Sequence, residues 1–316
     1  MTAQKRTLLF KIIITAFFGF VILFLVTKIY DFVAPANSDK AYQLNKAINN
    51  SNQLYSKNNS FGFTDKERTP KKPKGIYRIA VIGDSFIWGD GLPYPKVWSH
   101  KLETKLLTAY DSIEVISWGK CGWSTLDEFN FFKQHGKDFD IDLLIIGWVD
   151  NDPDIGEIPQ VNANDAANRF PFTYKISPAF ARFLLNNSTN DVYNAWINAI
   201  YSNQNLNNYQ KVLTDFHNYL TENKVQSIMV MTPAGFSDDN RQRFTKAQPL
   251  ITNAGFTCVN LFDPLKKKLE HYTPAQLQAN PANMHPGDVL TEQFATEVQQ
   301  YIQQNNYLQR LHKKGK

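Results

Sequence analysis

Gly83-Asp84-Ser85 follows directly on a strand-like run at residues 77–82. A parallel strand delivers its last residue to the carboxyl edge of its sheet, the edge at which open α/β sheets bind ligands. Glycine permits a sharp exit from the strand. The Ser85 hydroxyl then stands at the mouth of the next loop, where it can attack a carbonyl carbon if another group takes its proton. His285 is the candidate for that group. The chain has six histidines, and most belong on the surface. His285 stands out through its setting in Asn283-Met284-His285-Pro286, just before a helix-like stretch at 289–303.

The elements that would position these residues are those of an α/β chain. A second strand is expected at 113–117, running into the glycine-containing loop 118–125 and a helix over 125–135. A third, at 143–147, is nearly all apolar, as a parallel strand buried on both faces should be. It runs into Trp148-Val149-Asp150-Asn151-Asp152. An amphipathic helix at 205–223 and strands at 226–231 and 256–260 complete the pattern. No internal repeat is present.

The order of these blocks resembles the SGNH (GDSL-type) hydrolase family. The match is carried by Gly83-Asp84-Ser85, then Gly122, then Asn151-Asp152, then His285-Pro286, and spans residues 59–303. Asn59-Ser60-Phe61-Gly62-Phe63 looks like the lead-in of membrane-anchored members. The resemblance implies a flavodoxin-like parallel sheet with helices on both faces and a serine esterase or acyltransferase site. The chemistry suits the residue types. Acyl transfer develops an oxyanion that needs fixed hydrogen-bond donors. The backbone N–H groups of Ser85 and Gly122 and the Asn151 amide are the candidates. Glycine lets substrate approach the backbone closely, and an asparagine NH₂ donates without carrying charge.

One position departs from the family pattern. Members carry an aspartate two or three residues before the histidine, whereas this chain has Asn283 and Ala282 there. Asn283 can orient the imidazole through its oxygen but supplies no charge. Three cases stay open: a Ser85–His285 dyad oriented by Asn283, a carboxylate from elsewhere, or a degenerate site. On the first, Asn283→Asp should raise the rate by adding charge beside the ring. Asp288, the nearest downstream carboxylate, reads as a helix N-cap.

Other chemistry finds little support. Asp150 to Asp154 starts like a calcium loop, but proline takes the fourth position and Val161 stands where the bidentate glutamate belongs. Asp84 reads as a structural acceptor for loop N–H groups. No zinc spacing or phosphate-binding glycine loop is present, so no metal or other cofactor is expected. Cys121 and Cys258, expected at opposite edges of the sheet, are not expected to pair.

Residues 8–29 are apolar apart from Lys11, Lys28 and threonines. With both lysines snorkelling, the run reaches the ~20 residues needed to cross a bilayer. Lys5, Arg6 and Lys11 lie before it, while the charges after it are mixed. That bias places the amino terminus in the cytoplasm and the large domain outside it. Cleavage near Ala36 is the competing reading. The expected organisation is a cytoplasmic tip and transmembrane anchor at 1–30, a polar tether at 31–74 with a helix over 39–54, the α/β domain at 75–305 and a basic tail at 306–316. Residues 153–204, rich in aromatics and without strand pattern, form an insertion that is either a lid or an extra pair of packed helices. The net charge of +5 resides partly in the membrane flank and the tail, and no nucleic-acid surface is implied.

The expectation is therefore a membrane-anchored serine esterase acting on an O-acyl ester, O-acetyl first, of a cell-envelope glycan. Transfer of the acyl group to a polysaccharide and hydrolysis of a lipid ester are the enzymatic alternatives. A decayed fold that binds glycan is the non-enzymatic one.

Overall fold

The strand pattern of the sequence closes into a single five-stranded parallel sheet. The computed structural model describes residues 3–33, 59–156, 170–177, 180–181, 183–184, 195–280, 283–309 and 311. They fall into two compact units, one within Met1–Tyr42 and Pro159–Asn198, the other within Gln43–Ile158 and Ala199–Lys316.

The first unit holds helix α1 (Ala3–Val33) and a short helix that begins on a proline. Within α1, Phe10–Ile29 is long and apolar enough to cross a membrane. Its large side chains are exposed, Phe17, Phe18 and Leu23 among them. Lys28 Nζ donates to the Ile176 carbonyl at 2.8 Å.

In chain order, the larger unit contains β1 (Tyr77–Gly83), α2 (Ser85–Trp88), α3 (Trp98–Leu107), β2 (Ile113–Gly119), α4 (Thr125–His135) and β3 (Leu143–Trp148). The short helix of the first unit, α5 (Pro171–Ile176), intervenes. Then follow α6 (Asn203–Glu222), β4 (Gln226–Met231), α7 (Asp238–Asn253), β5 (Thr257–Asn260), α8 (Phe262–Lys268), α9 (Pro274–Leu277), β6 (Gln278–Asn280), β7 (Asn283–Pro286) and α10 (Asp288–Gln304). The sheet order is β2-β1-β3-β4-β5, all parallel, which is the flavodoxin-like order. Strands β6 and β7 form a separate antiparallel pair.

Both faces of the sheet are covered, which is why its central strands read as continuous apolar runs. Ile79 and Val81 pack with Trp98 and Leu102 of α3 and with Leu290 and Phe294 of α10. Their alternates, Ala80 and Ile82, pack with Phe132 of α4, Leu213 of α6 and Phe244 of α7.

Three boundaries differ from expectation. The expected tether ends sooner than residue 74. Phe63 is buried in the core, and Arg68, 4% exposed, pairs with Asp65 and Glu103. A buried guanidinium must be paired to be tolerated, so this stretch is held to the domain. At the other end Leu308 is buried, which carries the folded chain past residue 305. The N-cap of α10 is Gly287, not Asp288; Asp288 is the first helical residue and pairs with Lys96 and Lys101. The helix expected over 39–54 lies outside the described residues. So does much of the 153–204 insertion, whose described parts include α5 and no strand.

Candidate active site

Three glycines prepare the ground for Ser85. Gly83 ends β1 and is in register with Gly119 of β2 on one side and Gly147 of β3 on the other. A β-carbon at Gly119 would lie 2.2 Å from the Trp88 backbone nitrogen, and one at Gly83 2.3 Å from the Ile87 side chain. At Gly147 it would lie 2.6 Å from Ile87 Cδ1. The row of missing side chains thus lets α2 settle onto the strand ends, with Ile87 fully buried in the gap. Asp84 caps α2 by accepting from Phe86 N at 2.9 Å, the structural role its sequence position suggested.

Ser85 is largely buried, and its Oγ lies 2.9 Å from His285 Nε2. The contact joins residues 200 positions apart. His285 sits on β7, which pairs with β6 and leads into α10. A β-carbon at Gly287 would lie 2.2 Å from the Gln278 carbonyl, so only glycine lets the chain turn so close to β6. Lys101 of α3 then ties down the start of α10, donating to Asp288 Oδ1 at 2.6 Å and to its carbonyl at 2.8 Å.

Asn283 fixes the imidazole. Its Oδ1 accepts from His285 N at 3.0 Å and faces His285 Nδ1 at 2.5 Å. Its Nδ2 donates to Asp90 Oδ2 at 3.2 Å. With the amide nitrogen committed to a carboxylate, Oδ1 must face the ring. Nδ1 therefore carries the proton, and Nε2 is left as the acceptor for the Ser85 hydroxyl. The carboxylate of Asp90 is itself 3.3 Å from His285 Nδ1. Asp288, the carboxylate considered from sequence, is tied to Lys96 and Lys101 instead.

Sequence reasoning missed Asp90. It lies between Gly89 and Gly91, both in the left-handed region at φ 78° and 79°. A β-carbon at Gly91 would come 2.7 Å from Asn283 Nδ2. The available signal was this Gly-Asp-Gly just after the nucleophile helix, a pattern that bends sharply and presents its middle residue.

The expected oxyanion donors stand on neighbouring strand ends. Ser85, Gly122 and Asn151 follow the paired glycines Gly83, Gly119 and Gly147 by two, three and four residues. Gly122 has φ 80°, and no described residue comes within 4 Å of where its β-carbon would be. Asn151 lies in the turn after β3, where Asp152 Oδ2 accepts from Val149 N at 3.2 Å.

The electrostatics are those of a partly desolvated site. Burial pushes the His285 imidazole below its ordinary value, while Asp90 pulls it upward. Burial raises the Asp84 carboxyl to about 7, against hydrogen bonds from Phe86 and Ser85. Burial also pushes the Cys121 thiol up to about 12, with Asp90 and Asp84 adding to the shift. Cys121 is thus a poor nucleophile at neutral pH. Both cysteines are free. Among the described residues no cluster of His, Cys, Asp or Glu could hold a metal ion.

No family model matches the chain, and no curated protein matches it. Solved structures do. The lipase/acylhydrolase from Enterococcus faecalis superposes with a TM-score of 0.47 at 13% identity, over 76% of this chain and 100% of that one. An acetyl xylan esterase, AlAXEase, gives 0.43 at 14% over 71% and 99% of the two chains. A catalytic mutant of an acetylxylan esterase from Geobacillus stearothermophilus gives 0.44 at 13% over 73% and 96%. At this level of identity and superposition it is the chain's own residues that carry a functional reading.

Proposed function

We propose that this chain is a membrane-anchored serine esterase of the SGNH type. One observation carries the reading: Ser85 Oγ lies 2.9 Å from His285 Nε2 at the carboxyl edge of a parallel sheet, with Asn283 Oδ1 2.5 Å from Nδ1. In this mechanism Ser85 Oγ attacks the acyl carbonyl carbon while its proton passes to Nε2. The N–H groups of Ser85 and Gly122 and the Asn151 amide receive the oxyanion. Collapse of the intermediate breaks the bond to the alcohol, which leaves with the proton from Nε2. Water then attacks the acyl-enzyme by the same route and releases the acid.

The substrate class we favour is an O-acetyl ester on a cell-envelope glycan. Supporting this is the apolar helix Phe10–Ile29, which would tether the domain beside a surface polymer. The partner of the enzyme is then the acylated polymer, or an acylated lipid if the ester lies in the bilayer. No metal or other cofactor takes part in the steps as written.

The test uses the detergent-solubilised full chain. It should hydrolyse p-nitrophenyl acetate and take up a fluorophosphonate probe, and Ser85→Ala should reduce both to background. Retention of most of the rate in Ser85→Ala removes this serine as the nucleophile. Acetate release from an O-acetylated polysaccharide, compared with fatty-acid release from a lipid ester, then separates the two substrate classes.

A further inference from the structure

We propose that the negative charge of the catalytic relay is supplied by Asp90, on the loop after the nucleophile helix, which stands beside Asn283 at His285 Nδ1. The inference deepens the esterase reading and rests on it for its catalytic consequences.

A serine–histidine pair needs two things on the far side of the ring. An acceptor must hold Nδ1–H in place, and an anion must stabilise the imidazolium that forms as Ser85 attacks. One aspartate can do both. Here the two jobs fall on two residues. Asn283 Oδ1 holds the Nδ1 proton at 2.5 Å, and Asp90 Oδ2 brings the charge to 3.3 Å from the same nitrogen. The 3.2 Å bond from Asn283 Nδ2 to Asp90 Oδ2 locks the two together. Asp90 is in turn placed by its own backbone: its N–H donates to the Ser85 carbonyl at 3.1 Å. Its glycine neighbours supply the left-handed turn that brings it there.

The arrangement reverses the expectation for Asn283→Asp. A carboxylate at 283 would face that of Asp90 across about the same 3.2 Å, where Asn283 now donates a hydrogen bond. Two carboxylates so close cannot both ionise without large cost. One takes up a proton or swings away, and the relay is damaged rather than improved. The charge can still be moved. Exchanging the two residues, Asp90→Asn together with Asn283→Asp, restores one carboxylate and one amide, now with the carboxylate directly on Nδ1.

The groups that face His285 are few enough to read a titration. Among the described residues, Asp90 is the charged one on its Nδ1 side. Asp84 lies on the other side of Ser85, its Oδ2 3.2 Å from the serine Oγ. Cys121, near both aspartates, stays a neutral thiol through neutral pH. Phe86 packs edge-on to the ring at 5.8 Å. Asp288 is held by lysines.

The experiment is a two-by-two set of variants of the full chain: wild type, Asp90→Asn, Asn283→Asp and the double exchange. Two quantities are read: kcat/KM for p-nitrophenyl acetate across pH, and the His285 imidazole titration by NMR. Asp90→Asn should lower kcat/KM by about 100-fold, less than the roughly 10⁴-fold of a swap that also upsets the tautomer, because Asn283 still fixes it. It should also move the His285 titration and the acid limb to lower pH. Asn283→Asp alone should lower the rate. The double exchange should recover at least tenfold over either single variant. An unchanged His285 titration in Asp90→Asn, or a double exchange no better than its worse parent, overturns the proposal. A wild-type chain inert toward ester and probe removes the esterase reading instead, and the imidazole titration still decides whether Asp90 sets the charge at His285.

Discussion

The backbone nitrogen of Trp88 lies 2.2 Å from where a β-carbon on Gly119 would stand. The nucleophile helix therefore rests on a strand end that tolerates no side chain. Gly119→Ala should force the Ile87–Trp88 backbone away and shift Ser85 with it. Overpacking of this kind costs about 1–3 kcal/mol. Misplacing a reacting group by about 1 Å can cost a hundredfold in rate. Chemical denaturation and kcat/KM measured together check this; a rate within twofold of wild type would show that the helix does not need that seat.

The acid limb of the pH–rate profile should lie below the ordinary histidine value. Burial lowers the His285 titration, and the ring must be neutral to accept the Ser85 proton. The rate should therefore pass its half-maximal point below the ordinary histidine value of about 6.5. A limb above that value, measured as kcat/KM against pH, contradicts the assignment.

Three carboxyl groups buried behind the nucleophile should make the fold less stable as pH rises. Glu128, Asp152 and Asp84 all have raised values, burial being the first cause in each. Among the described residues neither oxygen of Glu128 has a hydrogen-bond partner. The folded state keeps such a proton where the unfolded chain has already released it. Stability is then lost at about 1.4 kcal/mol per pH unit per group. For Asp84 the window runs from the ordinary value of 3.8 to about 7. Glu128→Gln removes one group and should flatten the fall in melting temperature between pH 5 and 7. An equally steep fall in the variant would mean that Glu128 does not hold a proton in the fold.

The orientation read from Lys5, Arg6 and Lys11 gives a test in spheroplasts. Protease added outside should reach the domain, and the full-length chain should stay with membranes through a high-salt wash. Protection of the domain reverses the orientation. Release of a shortened soluble form points to cleavage near Ala36.

What the sequence by itself determined is whatever depends on near neighbours. The apolar runs of β1, β3 and β4 and the periodicity of α6 are visible because burial on two faces, or on one helical stripe, repeats every few residues. Ser85 and His285 could be read because each sits beside a local signal, a glycine exit and a proline-bounded loop. The register of Gly83 with Gly119 and Gly147 could not be read, since pairing is settled between strands and not along them. Nor could the attachment of Arg68 to the domain, because its ion pairs are with Glu103 and Glu114, dozens of positions away. Asp90 belongs with these. Its bond to Asn283 spans 193 positions and exists only once β7 is laid against the nucleophile loop. The sequence showed that an aspartate was missing beside the histidine. Only the tertiary structure could return its charge from the other end of the domain, because a charge acts through space and the chain records only order.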